Sequence, residues 1–394
     1  MTLTRRTLLK ALSLSSAAAL LPACSPVYEG PRLAPVLVSR DRALKTVVGL
    51  RPFRRPGFVV RSERIGEQTI VHNYGHGGAG VTLSWGTAQL AVEEVLRTGD
   101  TKIAVLGCGA VGLATARLLQ QRGLEATIYA RDLPPHTTSD IAGARWYPFD
   151  VFDATVVTSE SLATLWRISR IAYRVFRSML GPKYSVYARA TYACRNEPFT
   201  RESLLNFDSP IHDLLPGLRD LPPRERPVPF SIVRAFESLM IEPAIYLPAV
   251  MRDHADAGGR IVVRDLKSLA DIAVLPERTV VNCTGMGAAS LFNDAELYPI
   301  KGQLTILRPQ REVDYLALPP NLYMFPRNDG IVLGGTFEHH VSTLEPDRAA
   351  ETRILAGHGR FFASLRDYTG SRRGGIIESG PRDRRGVPGW RRSS

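Results

Sequence analysis

At 394 residues, with 44% hydrophobic and 22% charged residues, the chain is long enough for one large or two ordinary domains, and its composition is that of a globular protein with an ample core. Its net charge of +12 sits mostly at the ends: Arg5, Arg6 and Lys10 put +3 on residues 1–24, seven arginines against Glu378 and Asp383 put +5 on residues 371–394, and +4 is left for the body. So small and scattered an excess argues against a nucleic-acid partner, and the four cysteines, at 24, 108, 194 and 283, show neither metal-ligand spacing nor a disulfide framework.

Residues 1–24 read as an export signal. Thr4-Arg5-Arg6-Thr7-Leu8-Leu9-Lys10 precedes an apolar run, 11–21, too short to span a membrane. The pattern resembles a twin-arginine signal, which serves proteins exported already folded, and a cofactor inserted before export would account for that route. Leu21-Pro22-Ala23-Cys24 resembles a lipobox with an unusual proline. Two outcomes stay open: a lipid on Cys24, making a periplasmic or cell-envelope lipoprotein attached to a membrane, and ordinary cleavage nearby.

Residues 25–42 are punctuated by prolines, with a strand-like patch at 35–39. Segments 46–52, 57–61 and 69–71, rich in β-branched residues, predict three short strands. The third runs into a glycine loop, His72-Asn73-Tyr74-Gly75-His76-Gly77-Gly78-Ala79-Gly80, after which Leu83, Leu90, Val95 and Leu96 predict a helix. A four-residue link, 97–100, leads to a strand at 102–106, a second glycine loop, Gly107-Cys108-Gly109-Ala110-Val111-Gly112, a helix, and a strand at 126–130. This is a βαβ unit with dinucleotide-binding spacing: Gly107 makes the tight turn, Gly109 admits a pyrophosphate, and Gly112 lets helix pack on strand. Two glycine loops so close together ask for one large ligand with two polar ends.

Beyond residue 155, Leu162, Leu165, Trp166, Ile168, Ile171, Val175, Phe176 and Met179 fall on a helical period and read as core. Residues 181–235 alternate short apolar runs with proline-rich turns. A helix near 241–257 precedes a strand at 260–263. Thr279-Val280-Val281-Asn282-Cys283-Thr284-Gly285 reads as a buried strand ending in a small-residue turn, typical of a strand that meets a ligand. Strands at 302–307 and 330–334 flank a loop with Tyr315 and Tyr323, and a helix is expected over 347–365. The tail from 371, rich in Arg, Gly and Ser, reads as disordered.

The stretch from His72 through Val81-Thr82-Leu83-Ser84-Trp85 to Gly86 closely resembles the signature of D-amino-acid oxidases, a family that includes D-aspartate oxidase. So do 130–140 with 142–146, Val281-Asn282-Cys283-Thr284-Gly285, Gly302-Gln303 and Leu333-Gly334-Gly335. Gly49-Leu50-Arg51-Pro52 matches the family's arginine-bearing strand. The order is displaced, because in the family the dinucleotide motif opens the chain and the arginine strand and His-Asn-Tyr-Gly stretch close it. The arrangement resembles a circular permutation joined across 97–100, with new ends near Leu33 and Leu365; an artefact of gene assembly is the rival explanation. The resemblance implies an α/β fold with a Rossmann-type FAD-binding domain and a mixed, largely antiparallel substrate-binding domain. In that scheme 25–70 and 301–370 belong to the substrate domain, 71–150 and 241–300 to the FAD domain, and 151–240 to a mixed helical segment.

The same resemblance implies FAD held noncovalently, with hydride passing from the Cα of a D-amino acid to flavin N5 and oxygen reduced to hydrogen peroxide. Arg51 then clamps the substrate carboxylate in a bidentate pair, against the plain alternative of a surface arginine beside Arg54 and Arg55. Tyr323 adds a hydroxyl and Gly78 completes the substrate-side set. Pro319 stands where the family has a second lid tyrosine, and Tyr315 is the substitute to test. For FAD, Gly107, Gly109, Ala110, Val111 and Gly112 fall at the pyrophosphate, Arg131 and Asp132 at the ribose, and Leu266 at the adenine. Thr137, Thr138 and Ser139 offer hydroxyls to phosphate or flavin, and Ala144 and Arg145 lie against the ring. Gly77, Gly78, Gly80, Val81 and Thr82 fall at the flavin pyrimidine edge, where a helix N-terminus favours the anionic reduced flavin by up to ~2 kcal/mol. His72 and His76 lack a third ligand, so a structural role is expected and no metal. Rival readings are a D-aspartate or glycine oxidase, a quinone-linked dehydrogenase and an inactive flavin-binding remnant. An acidic substrate would need a second cation, to which the sequence assigns no residue.

Overall fold

The computed structural model describes residues 30–201 and 203–374; the expected export signal with Cys24 and the tail from 375 lie outside the described residues. The first strand, β1 (Ala43–Arg54), is followed by the hairpin β2 (Val59–Ile65) and β3 (Gln68–Tyr74). β2 alternates apolar with charged residues because it is a sheet edge, whereas β3 is buried on both faces. Helix α1 (Gly80–Leu96) is apolar on nearly every side because it runs between layers, packed on α2 (Ala110–Gln121) and on α3 (Ser159–Ser178). β4 (Lys102–Leu106), α2 and β5 (Glu125–Ala130) form the expected βαβ unit. Thr158 caps α3 by accepting from Ser161 N–H, and Leu165, Ile168 and Phe176 bury its apolar stripe, with the other expected core positions half-buried.

Residues 181–235 hold more order than their prolines suggest. β6 (Val186–Arg195) and β8 (Ile232–Ile241) pair antiparallel from Val186↔Ile241 to Arg195↔Ile232, with the short β7 (Arg219–Asp220) at the edge. There follow α4 (Pro243–Asp256), β9 (Arg260–Val263), α5 (Leu269–Ala273), β10 (Thr279–Asn282), α6 (Gly287–Leu291) and β11 (Leu297–Leu307). The chain closes with β12 (Leu316–Leu318), β13 (Tyr323–Arg327), β14 (Gly330–Gly334), β15 (Glu338–His339) and α7 (Arg348–Gly374).

Among the described residues these strands make two sheets. One has six strands in the order β2-β3-β10-β4-β5-β9, parallel except for the β2–β3 hairpin. The other has nine, in the order β1-β11-β14-β13-β12-β6-β8-β7 with β15 on β11, and is antiparallel apart from β12–β6. The fold is therefore α/β with a second, mixed sheet, as expected. Three details differ. β2 and β3, placed by the division at residue 70 on the substrate side, hydrogen-bond within the six-stranded sheet. Residues 35–39 form no strand; Val36 is instead buried beside Phe361, Phe362 and Leu365. The last helix continues to Gly374, past both its expected end and the start of the expected disordered tail.

Candidate active site

A cleft of about 920 Å³ runs between the two sheets. At one end β4 delivers the chain to Gly107, whose φ of +101° suits glycine, and whose N–H donates to Tyr129 O at 2.8 Å. A side chain at Gly112 would run into the carbonyl oxygen of Gly107, so the first turn of α2 presses on the loop and leaves its amides aimed at the cleft. The Ala110 N–H donates to Ser139 Oγ at 3.0 Å, which brings that hydroxyl to the loop, while Thr137 Oγ1 donates to Asp140 at 2.7 Å. Arg131, Asp132 and Leu266 line the far end, with Asp132 joined to Arg131 Nε at 2.8 Å. The donor set is thus backbone amide, hydroxyl and guanidinium around a bare helix N-terminus, which fits a pyrophosphate; the site admits a dinucleotide.

Of the expected cofactor residues, Gly112 and Thr82 do not line the cleft. Gly112 acts only through its close approach to Gly107. Thr82 is buried, and its Oγ1 accepts from Tyr147 N–H at 3.3 Å, so it holds the 142–147 segment in place. The others, Gly77, Gly78, Gly80, Val81, Gly107, Gly109, Ala110, Val111, Arg131, Asp132, Thr137, Thr138, Ser139, Ala144, Arg145 and Leu266, all border it.

At the other end the antiparallel register of β1 on β11 sets Gly49 opposite Gly302 and Arg51 opposite Ile300. The Arg51 guanidinium lies over Gly302, where a Cβ would fall 2.6 Å from Cζ. Its Nη1 donates to Thr336 O at 3.3 Å, and its Cζ stands 4.4 Å from the Phe337 ring centre. It is not a surface arginine. Tyr323 on β13 lies against the Gly334 backbone, with its hydroxyl in hydrogen-bonding reach of Arg51. Burial pushes its phenol up, and Arg51 only partly opposes this, so Tyr323 is a neutral donor at working pH. Gly78 donates its N–H to Asp150 O at 3.0 Å. Asp150, which the sequence did not suggest, is raised by burial against the pull of Arg51 and His339.

Arg145 also faces the cleft. The 144–146 segment is tied to β8 by Ile241 N–H to Ala144 O and Trp146 N–H to Leu239 O. From there the Arg145 guanidinium stacks on Tyr147, 4.2 Å from the ring centre. Tyr315 is elsewhere: it is core, and its hydroxyl donates to Ala34 O at 2.7 Å, so it cannot serve as a lid tyrosine. Phe149 and Phe337, packed edge to face with centres 5.4 Å apart, form the exposed rim instead.

The histidines of the first glycine loop are each engaged by protein groups. His72 is hydrogen-bonded to Glu63 and Asn282, and His76 is buried against Thr87 Oγ1 at 2.9 Å. No cluster of three or more His, Cys, Asp or Glu placed to hold a metal occurs among the described residues.

Comparison with known proteins places this geometry. The family model described as FAD dependent oxidoreductase, abbreviated DAO, matches residues 7–94 and 102–392. A D-amino-acid oxidase from Rubrobacter xylanophilus is 31% identical over 268 residues, 64% of this chain and 75% of that protein. One from Dictyostelium discoideum is 28% identical over 264 residues, 64% and 70% of the two chains. In fold, the chain is similar to glycine oxidase from Bacillus cereus (TM-score 0.51, 16% identity, 68% of this chain and 80% of that one). It is similar to the same degree to L-proline dehydrogenase from P. horikoshii (TM-score 0.51, 17% identity, 68% and 78%).

Proposed function

We propose, since the chain belongs to the DAO family of FAD-dependent oxidoreductases, that this enzyme oxidises D-amino acids and passes the electrons to oxygen. The observation that carries the reading is Arg51: a guanidinium held over a glycine, beside a neutral tyrosine, with no ion-pair partner among the described residues, at the end of the cleft away from the dinucleotide loop. The 107–111 and 77–81 loops would hold FAD along the cleft, where it would supply a two-electron acceptor. Arg51 binds the substrate carboxylate through two parallel N–H bonds, and Tyr323 donates a third hydrogen bond. Phe325, buried in the cleft wall beside Tyr323, keeps water from this end of the site. The Cα–H bond breaks with its electron pair leaving as hydride while the amine gives a proton to solvent, so the product is an imino acid. Water hydrolyses it to a 2-oxo acid and ammonia, and oxygen takes two electrons and two protons to become hydrogen peroxide.

Anaerobic D-alanine should bleach the yellow protein, and L-alanine should not. Bleaching without peroxide on admitting air would replace oxygen with a quinone-type acceptor; no bleaching by any D-amino acid would sink the substrate reading.

A permuted order is supported by the break in the family match at 95–101, where α1 ends and a turn follows with Gly99 at φ +77°, and by the packing of Leu33 and Val36 against Leu365 in one cluster. A gene reopened at 98 and joined from 365 to 33 should give a yellow, folded protein. Export by the twin-arginine route rests on Arg5-Arg6, and their replacement by lysines should leave the precursor in the cytoplasm.

A further inference from the structure

We propose that Thr336 is a positioning residue for the Arg51 clamp: its hydroxyl pins a β-bulge whose carbonyl fixes the guanidinium in the orientation that receives the substrate carboxylate. The proposal deepens the functional reading above and rests on it for the role of Arg51.

The sheet register shows where the bulge is. Along β11, Leu304 pairs with Gly334 at the end of β14, and Lys301 pairs with Glu338 at the start of β15. Between these pairs three residues, 335–337, stand against two, 302–303. One extra residue bends the strand and breaks the ladder locally, a device that re-aims groups beside a site. The ladder groups left over belong to Gln303, and the Thr336 side chain takes both. Its Oγ1 accepts from the Gln303 N–H at 2.6 Å and donates to the Gln303 carbonyl at 3.4 Å. The buried side-chain amide of Gln303 in turn donates to Asp347 O at 2.8 Å and accepts from Asp347 N–H at 2.7 Å, just ahead of α7. One hydroxyl thus stands in for the missing ladder bonds and ties the bulge to the start of a helix.

The bulge brings two contacts to one guanidinium. Arg51 comes from β1, on the other side of β11, and its guanidinium crosses that strand over Gly302. There Thr336 O accepts from Nη1 at 3.3 Å, and the next residue, Phe337, sets its ring centre 4.4 Å from Cζ. A carbonyl suits this task better than a carboxylate. The buried Arg234 and Arg327 are each held by a two-pronged carboxylate, Asp220 at 2.7 and 2.8 Å and Asp329 at 2.8 and 2.7 Å, which occupies the fork and offsets its charge. The Thr336 carbonyl takes one N–H bond and leaves the rest of the fork, with its charge, to a ligand.

The test uses the FAD-loaded enzyme. Thr336→Val keeps the shape of the side chain and removes the hydroxyl, and Thr336→Ser keeps the hydroxyl. Thr336→Val should raise KM for D-alanine, and the dissociation constant of butyrate read from the flavin spectrum, by ~10- to 100-fold, with kcat within about threefold and flavin content unchanged. Thr336→Ser should stay within about threefold of the parent on both measures. A double-mutant cycle separates positioning from general loosening: in the Arg51→Lys background, where no fork is left to orient, Thr336→Val should cost less than about threefold in kcat/KM. The same loss in both backgrounds would overturn the proposal. So would a Thr336→Ser enzyme as poor as Thr336→Val, or a Thr336→Val enzyme with parental KM and butyrate affinity. Should Thr336→Val not fold, Thr336→Cys, whose thiol is a weak partner for Gln303, decides by the same comparison with Thr336→Ser. Failure of every D-amino acid to bleach the flavin, with butyrate bound and weakened by Thr336→Val, would refute the substrate reading and leave the positioning standing. A wild-type flavin spectrum that answers to no carboxylate would remove the clamp and this proposal together.

Discussion

The two ends of the cleft are built in different ways. The dinucleotide end is backbone: a strand, a tight turn and a helix N-terminus within residues 102–112, assembled from neighbours in sequence. The substrate end is side chains drawn from far apart, with Arg51 on β1, Tyr323 on β13 and Phe337 after β14. The first recognises phosphates with amides that no substitution removes unless the turn itself is broken. The second depends on sheet register: a one-residue slip of β1 against β11 would turn Arg51 to the opposite face and bring a side chain where Gly302 gives it room. Holding a cofactor and choosing a substrate should therefore fail separately.

The largest effect expected is at the first end. Gly112→Val drives a branched side chain into Gly107 O, at a cost of about 1–3 kcal/mol, and pushes the α2 amides off the pyrophosphate. The purified protein should be nearly colourless, read from its 450 to 280 nm absorbance ratio, with a lowered Tm. Arg51→Lys should do the reverse: full flavin and an unchanged Tm, but a kcat/KM lower by about 2–4 kcal/mol, roughly 30- to 1,000-fold, because an ammonium cannot make the bidentate pair. Loss of flavin from the Arg51→Lys protein would mean that the two ends are not independent. Gly302→Ala is the subtler version. Its methyl displaces the guanidinium without removing it, and KM should rise by ~10-fold while flavin content holds.

Legibility in the sequence follows the same division. The spacing of Gly107, Gly109 and Gly112 between two short apolar strands gave away the βαβ unit, since each glycine answers a local demand. The Arg51 role came from the resemblance carried by its neighbours, because nothing in a lone arginine tells that Gly302, 251 positions on, will lie beneath it. The β6–β8 ladder was hidden because Tyr187-Ala188-Arg189-Ala190-Thr191-Tyr192-Ala193 is rich in residues of high helix propensity; only its partner strand makes it a strand. Tyr315 misled for a similar reason. A tyrosine near a lid and a tyrosine in a core look alike until Ala34, 281 residues earlier, presents its carbonyl. Asp150 left no local signal either, its place being a consequence of which segments pack against the 77–78 loop.

Smaller effects sharpen the boundary between the ends. Tyr323→Phe removes one charge-assisted hydrogen bond to the carboxylate, worth about 1.5 kcal/mol, so KM should rise by roughly tenfold with kcat and flavin unchanged. The last test concerns His76, which lines the cleft where the two ends meet and has almost no consequence at neutral pH. Burial against Phe58 and Thr87 pulls its pKa down to about 3. In the unfolded chain the same ring takes up a proton near pH 6.5, so between 6.5 and about 3 the unfolded state binds the extra proton and stability falls as pH falls, by about 1.4 kcal/mol per pH unit from this residue. His72, His254 and His358, also lowered by burial, act with the same sign. His76→Gln can still hydrogen-bond Thr87 but cannot titrate, so urea unfolding at pH 7, 5.5 and 4.5 should show a shallower acid loss than the parent. An identical slope would mean that the loop opens to water before the protein unfolds. In that case the flavin end of the cleft is held by its ligand rather than by its own packing.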